Sequence, residues 1–171
     1  MKALGNYYRT SLSKGKEVIT VGEEVDVVMN YLKIQKYRYE DMFSVEYDID
    51  EEAKNYKILK LTLQPFVENA LYHGIRPKGS SGNIFIAVKY HVDHVLLQVS
   101  DDGVGMSEEE IAEIIDCKVA AQNSSFGICG TIERLRIFYG VEDIVAIESR
   151  KGYGTKVSIK IPLQGESKNV Q

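Results

Sequence analysis

One stretch of the sequence, residues 63–74, places a carboxylate, a carboxamide and an imidazole beside an apolar helical face. The polar side chains are those of Glu68, Asn69 and His73. A carboxamide beside a buried face needs hydrogen-bond partners, and a helix-end Asn69 satisfied by local backbone is one interpretation. The other is a neutral oxygen ligand for Mg²⁺, which binds one or two protein groups together with substrate phosphates. The stretch by itself favours the first interpretation.

A second polar stretch, Asp101-Asp-Gly-Val-Gly105, follows a predicted strand. Its glycines let the backbone pass close to a flat ligand where a side chain would collide. An ionised Asp101 only accepts hydrogen bonds, so it suits the exocyclic amine of adenine and disfavours guanine, which presents a carbonyl there. A tight turn with a solvated Asp is the alternative, because Asp-x-Gly-x-Gly alone is a weak signal.

Two further glycine-containing stretches are able to complete such a site. Gly127 precedes a helix that is predicted to begin near Ile128, where free N–H groups and the positive end of the helix dipole favour phosphate. Gly152-Tyr-Gly154-Thr155 opens the last predicted strand and offers a hydroxyl near the base. Taken alone, this second stretch is more simply an ordinary hairpin turn.

Length and composition are those of an ordinary globular domain. The chain has 171 residues, 44% of them hydrophobic and 27% charged, with a net charge of −4. This charge predicts no general attraction to nucleic acid or anionic membrane, so a phosphate must be held by local groups. The sequence contains no signal peptide and no apolar run long enough to span a membrane. Cys117 and Cys129 are predicted to be reduced thiols of a cytosolic protein.

Caps and periodicity predict the helices that would position these residues. A capping box at Thr20-Val-Gly-Glu23 opens a long amphipathic helix. The helix that carries Asn69 is predicted to end at Gly74. Pro65 lies either in the first turn of that helix or at a kink in a longer helix that begins near Ile58. The longer helix is the preferred prediction.

Alternating apolar residues predict five strands, over residues 43–49, 84–90, 95–99, 144–148 and 155–161. Neighbouring strands that are joined by short turns must be antiparallel. Helices intervene between the others. The order therefore predicts the α+β class and a two-layer α/β sandwich, with one mixed, mostly antiparallel sheet and helices on one face.

Together, the polar stretches resemble the nucleotide-binding boxes of the GHKL ATPases, the Bergerat-fold proteins that include histidine kinases, gyrase and MutL. The four blocks occur in the family's order and spacing. They are Glu68-Asn69-Ala-x-x-His73-Gly, Asp101-x-Gly103-x-Gly105, Gly127 with Arg134-Leu135, and Gly152-x-Gly154-Thr155-x-Val-x-Ile-x-Ile-Pro162. More narrowly, residues 21–41 and 61–75 resemble LytS-type sensor histidine kinases, and the resemblance covers roughly residues 4–162.

The resemblance implies roles at the phosphate end of ATP. Asn69 would bind the Mg²⁺ that bridges the phosphates, and Gly127 would lie beside them. Glu68 and His73 would flank the phosphates as candidate catalytic residues, and a structural role for His73 is an equal alternative. Residues 106–126 would form a lid over the nucleotide.

The resemblance also implies roles at the adenine end. Asp101 would accept a hydrogen bond from the adenine amine. Gly103 and Gly105 would line the pocket for the base. Thr155 would support Asp101.

Three departures from the family pattern bear on activity. Ser125 and Gly130 stand where the lid motif commonly has a glycine and an asparagine, which weakens the expected lid closure and phosphate contacts. Gyrase-like ATPases carry a general-base Glu four residues before their Mg²⁺-binding Asn, and the corresponding position in this chain is Pro65. None of the three histidines lies in a motif like that of the LytS-type phosphoacceptor.

The sequence therefore predicts the catalytic, ATP-binding domain of a two-component sensor histidine kinase. It would donate the γ-phosphoryl group of Mg–ATP to a histidine outside this chain, for relay to a response-regulator aspartate. Residues 1–41 would be the helical end of the dimerisation and phosphoacceptor region, residues 42–163 the ATP-binding domain, and residues 164–171 a disordered tail.

The resemblance implies that the intact kinase is a homodimer. It would be anchored in a membrane through segments outside this chain, with this portion in the cytoplasm. Two alternatives stay open: a non-catalytic nucleotide-sensing interaction module, and an autonomous GHKL ATPase.

Overall fold

The computed structural model describes residues 17–39, 41–117 and 126–163. The predicted helical segment before residue 17, residues 118–125 of the predicted lid and the predicted tail lie outside these ranges. Within them, the secondary structure consists of a five-stranded sheet, a two-stranded sheet and the helices that pack against them.

The main sheet contains five strands. They are β2 (Phe43–Ile49), β4 (Gly82–Tyr90), β5 (His94–Asp101), β6 (Val145–Arg150) and β7 (Gly154–Pro162). Their order across the sheet is β2-β4-β5-β7-β6. β2 and β4 run parallel, and the three further pairs are antiparallel. The predicted α+β class and the mixed, mostly antiparallel sheet are confirmed.

A smaller sheet pairs β1 (Val18–Thr20) with β3 (Lys57–Leu59) in antiparallel register. It shows that the preferred prediction of a long helix from Ile58 is wrong. The helix begins at Gln64 and has Pro65 in its first turn, where a missing N–H costs nothing. Ile58 and Leu59 are fully buried, and their backbone partners lie about forty residues earlier, beyond the reach of local periodicity.

Four α-helices of the described residues pack with the sheets. They are α1 (Val21–Arg38), α2 (Gln64–Asn69), α3 (Glu108–Ile115) and α4 (Phe126–Tyr139). The predicted capping box forms, in which Thr20 caps α1 with Glu23, and a second one, of Ser107 with Glu110, caps α3. Short 3₁₀ turns occupy Glu51–Ala53 and Glu142–Ile144.

Helix α1 is part of the same hydrophobic core as the main sheet. Its buried residues Val21, Val28 and Leu32 belong to one apolar cluster with Phe66 of α2 and Ile84 of β4. The predicted domain boundary after residue 41 therefore divides segments that share one core. Burial of apolar surface is the main force that keeps α1 against the sheet.

A buried carboxylate on α1 holds the segment that leads into α2. Glu24 is fully buried, and its two carboxylate oxygens accept the N–H groups of Leu61 (3.1 Å) and Leu63 (2.9 Å). From α4, Nη2 of Arg134 donates to the carbonyls of Lys60 (2.6 Å) and Leu61 (2.9 Å). Burial raises the pKa of Glu24, and these N–H groups and the Arg134 charge oppose that rise. Leu61 has a φ of 61°, so the segment is held in a conformation that few non-glycine residues adopt.

Candidate nucleotide-binding site

The helix that carries Asn69 does not stop at Gly74. Beyond α2 the chain continues as a π-helical turn over Ala70–Ile75 and a 3₁₀ turn over Arg76–Lys78. It leaves the helical path at Gly79, whose φ is 72°. The predicted C-terminal cap at Gly74 is therefore wrong. Single π-helical turns within helices are frequent at functional sites.

Gly74 is instead the point at which this helix meets the turn after β5. A Cβ atom on Gly74 would lie 2.5 Å from Oδ1 of Asp101, and one on Gly103 would overlap the carbonyl of Gly74. The backbone N–H of Val104 donates to the Gly74 carbonyl (3.1 Å), and that of Gly103 donates to Asp101 Oδ1 (2.8 Å). Close backbone approach, rather than a helix cap, explains the glycine at position 74.

Asp101 is the partly buried carboxylate of this turn. Burial raises the pKa of Asp101 to about 6, against the opposing effect of hydrogen bonds from the N–H groups of Gly103 and Thr155. The negative charge of the neighbouring Asp102 also raises the pKa of Asp101. The Asp102 carboxylate itself accepts hydrogen bonds from the backbone N–H and the side-chain amide of Asn83, each at 2.8 Å. At pH 7 and above Asp101 is therefore mostly ionised and can only accept hydrogen bonds.

Thr155 lies directly opposite Asp101 in the β5–β7 register. Its Oγ1 lies 2.9 Å from Oγ of Ser149, which donates to the carbonyl of Gly154 (2.7 Å) and accepts from the N–H of Met106 (2.8 Å). Thr155 thus contacts Asp101 through its backbone while its hydroxyl binds Ser149. The sequence prediction did not include Ser149. The predicted β6–β7 hairpin was the signal that could have found it, because the hairpin pairs Ser149 directly with Thr155.

Helix α2, the first turn of α4 and the π-helical turn line a pocket. Its lining residues are Pro65, Glu68, Asn69, Tyr72, His73, Gly127 and Ile128. The structure thus brings the four residues predicted at the phosphate end to one pocket. The turn that Gly74 contacts brings together Asp101, Gly103 and Thr155. Gly105 lies against the end of β6, because a Cβ atom on it would overlap the carbonyl of Arg150.

The start of helix α4, which lines the pocket, differs from the sequence prediction. Helix α4 begins at Phe126, two residues before the predicted start, so Gly127 lies within its first turn. Among the described residues, a Cβ atom on Gly127 would meet nothing within 4 Å. Oε1 of Glu68 accepts a hydrogen bond from Nε2 of Gln64 (2.8 Å), which ties the Glu68 side chain to the preceding turn.

The two cysteines lie beside this pocket. Cys129 follows the pocket residue Ile128 in α4, and a disulfide joins it to Cys117 at the end of α3. The prediction of two reduced thiols is therefore wrong in this structure. Residue spacing did not reveal the pairing, because the fold brings together two residues that are twelve positions apart.

Comparison with known proteins decides the family. A family model described as "Histidine kinase-, DNA gyrase B-, and HSP90-like ATPase" matches residues 55–165. This chain belongs to that ATPase family. A second model, described as "Histidine kinase", matches residues 1–43. The predicted GHKL resemblance is confirmed, and membership implies nucleotide binding.

Two curated relatives are sensor kinases. The sensor histidine kinase YesM of Bacillus subtilis is 32% identical over 166 residues, which are 97% of this chain and 28% of the relative. The sensor protein kinase HptS of Staphylococcus aureus is 29% identical over 168 residues, covering 95% and 32%. The chain thus spans about a third or less of the length of these relatives.

The fold matches solved histidine kinase domains. The histidine kinase domain of the blue-light activated kinase from Erythrobacter litoralis EL346 has a TM-score of 0.61 and 20% identity. That match covers 95% of this chain and 72% of the other. Among the described residues, no helix combines the length and apolarity needed to cross a lipid bilayer.

The close approach of Gly103 to the Gly74 backbone yields a stability prediction. We expect Gly103→Ala to lower the free energy of unfolding by about 2–4 kcal/mol, because the added methyl group overlaps the Gly74 backbone and forces the helix and turn apart. Urea denaturation followed by circular dichroism would measure the change.

Gly130→Ala provides the matched control. Gly130 is exposed within α4, and a Cβ there meets no atom of the described part of the chain within 4 Å. This variant is expected to gain about 0.5–1 kcal/mol, because alanine is the better helix former. Equal stability of the two variants would contradict the argument from close backbone approach.

Proposed function

We propose that this chain is the catalytic, ATP-binding domain of a sensor histidine kinase. The observation that carries the proposal is the single helical segment from α2 to Ile75. It presents Asn69 to the pocket and, through Gly74, contacts the turn that holds Asp101. Asn69 and Gly74 are separated by little more than one turn of this helical segment. One nucleotide would extend from Asp101 to the pocket.

The adenine end fits the chemistry of this base. The backbone N–H of Gly103 binds one oxygen of Asp101 and so orients the carboxylate. The other oxygen would accept the exocyclic amine of adenine. Gly103 and Gly105 would let the base lie flat against the backbone, and the Thr155 N–H would hold Asp101 in place.

The phosphate end fits a magnesium nucleotide. Asn69 is a neutral oxygen donor on the pocket wall, and Mg²⁺ takes one or two protein oxygens while it keeps phosphate and water ligands. When bound, the ion would neutralise phosphate charge. The N–H groups in the first turn of α4, at Gly127, would contact the phosphates, with His73 at the exposed rim.

The pocket favours transfer over hydrolysis. Among the seven described residues that line it, Glu68 carries the only carboxylate, and Nε2 of Gln64 donates a hydrogen bond to one of its oxygens. Position 65, where an activating Glu stands in gyrase-like ATPases, is a proline. The chain would therefore position the γ-phosphoryl group for a nucleophile supplied from elsewhere, which is the main requirement of phosphoryl transfer. That nucleophile would be a histidine outside residues 1–171.

The intact kinase would act as a homodimer. It would pass the phosphoryl group to the aspartate of a response regulator and would hold this portion on the cytoplasmic side of a membrane. Supplying a purified phosphoacceptor fragment together with this chain and labelled ATP would test transfer directly. Stable label on a residue of this chain itself would contradict a nucleophile that lies outside it.

Calorimetric titration tests the binding site. ATP is expected to bind with Mg²⁺ at least about tenfold more tightly than without it, and GTP to bind at least about 100-fold more weakly than ATP. Asn69→Ala should abolish the gain from Mg²⁺ while leaving weak metal-free binding, because only the ion's protein ligand is lost.

The outcomes separate the alternatives. If Asn69→Ala retains the full Mg²⁺ gain, Asn69 is not the metal ligand. Absence of ATP binding at millimolar concentration would favour a non-catalytic interaction module. Steady-state phosphate release by this chain alone would favour an autonomous ATPase.

A further inference from the structure

The disulfide between Cys117 and Cys129 lies at the edge of the nucleotide pocket. Cys129 follows the pocket residues Gly127 and Ile128 in the first turn of α4, and Cys117 lies two residues after the end of α3. Their Cα atoms lie 5.2 Å apart, within the range of about 4.4–6.8 Å that a disulfide requires. The backbone therefore holds the two side chains in a position to bond.

Cys117 is the more accessible partner. It is partly exposed, whereas Cys129 is only 7% exposed. Cys117 has a φ of 52°, and its N–H donates to the carbonyl of Ile114 (3.3 Å), so it follows the C-cap of α3 in the left-handed conformation usually taken by glycine.

We propose that Cys117 and Cys129 form a reversible oxidative modification site, at which exchange with a small-molecule disulfide sets the affinity of the pocket for ATP. The effect on ATP affinity rests on the proposed function. The exchange itself does not.

The exchange proceeds in two balanced steps. The thiolate of Cys117 attacks a small disulfide, forms a mixed disulfide and displaces one thiolate. The thiolate of Cys129 then attacks the Cys117 sulfur, forms the intramolecular bond and displaces the second thiolate. The two protons lost by the cysteines go to the two released thiols, so the protein is oxidised by two electrons and the small disulfide is reduced.

The bond would act on the pocket through the start of α4. In the oxidised chain it fixes Cys129, and with it Gly127 and Ile128, to the end of α3. A second tie between these helices, from Nη1 of Arg136 to the carbonyl of Ile115 (3.0 Å), lies nearer the other end of α4. Reduction frees the end that faces the pocket. The oxidised form is therefore pre-organised and should bind ATP about five- to tenfold more tightly.

The test compares the two redox states of the same chain. The carboxylate of Glu133 lies within 4.8 Å of both sulfur atoms, so hydroxyethyl disulfide, which is neutral, is chosen as the oxidant. Intact mass after treatment should show the loss of two hydrogen atoms and no adduct. Calorimetric titration with Mg–ATP then measures the affinity of the oxidised chain and of the same chain reduced with a phosphine.

The control is the double variant Cys117→Ser/Cys129→Ser. It should bind ATP like the reduced wild type and should not respond to hydroxyethyl disulfide. A stable adduct at Cys117 without intramolecular bond formation would overturn the exchange. Affinities within twofold of each other, or tighter binding by the reduced form, would overturn the effect on the pocket. Absence of ATP binding in every form would contradict the proposed function and the affinity effect together, while the mass still decides the exchange.

Discussion

Asp101→Asn is expected to weaken ATP binding by at least about 100-fold, or about 3 kcal/mol, without destabilising the protein at pH 8. The Gly103 N–H needs an acceptor, so the amide oxygen of the variant would take the position of Oδ1. The NH2 group would then face the adenine amine. Two donors would meet where the wild type has a donor and an acceptor.

The stability of the same variant should move in the opposite direction. Burial raises the pKa of Asp101 from its usual 3.8 to about 6. The charged form of Asp101 is thus disfavoured in the folded state. The contribution of Asp101 to the free energy of unfolding is therefore fully present below about pH 4 and is lost as the pH rises through about 6. Asn carries no charge, so at pH 8 the variant should be more stable than the wild type by about 1–3 kcal/mol.

Calorimetry at pH 8 and thermal unfolding between pH 4 and pH 8 would measure both effects. The stability advantage of Asp101→Asn should shrink as the pH falls through 6. Adenosine binding by the wild type should weaken over the same interval, because a protonated Asp101 no longer accepts on both oxygens, and adenosine has no phosphate of its own to titrate. Retained ATP affinity in the variant would contradict the assignment of Asp101 to the base.

Glu24→Ala is expected to cost about 3–4 kcal/mol of the free energy of unfolding. The change leaves the N–H groups of Leu61 and Leu63 buried without their acceptor, in a segment already held at a positive φ. Because this segment leads into α2, the remaining folded protein should also bind Mg–ATP more weakly. Urea denaturation followed by fluorescence and circular dichroism would give the change in stability.

Two variants separate the acceptor from the charge. Glu24→Gln keeps one carbonyl oxygen and removes a charge that burial disfavours, so it should cost about half as much as alanine. Asp26→Ala, at an exposed position of the same helix, should change stability by less than about 0.5 kcal/mol. Equal effects of Glu24→Ala and Asp26→Ala would show that the Glu24 hydrogen bonds do not hold the segment.

Local signals predicted the main elements of the fold. The alternation of apolar residues in the five main strands and the Thr20 capping box depend on neighbours within a few positions. The four motifs predicted the family. Binding of a nucleotide requires glycines and polar residues at fixed spacings, and such spacings are visible in the sequence itself. The roles of Asn69 and Asp101 stay predictions until the titrations are made.

Contacts between distant segments were decided by the tertiary structure. The β1–β3 pairing, the Glu24 acceptor for the Leu61–Leu63 segment and the disulfide each join residues that no local window contains together. Gly74 is the clearest case. A glycine near a helix end predicts a cap, yet here the helix continues and the missing side chain makes room for Asp101. The sequence by itself determined which residue types are present and their local periodicity. Packing decided which backbone each glycine touches, because that contact depends on where the whole sheet places the turn after β5.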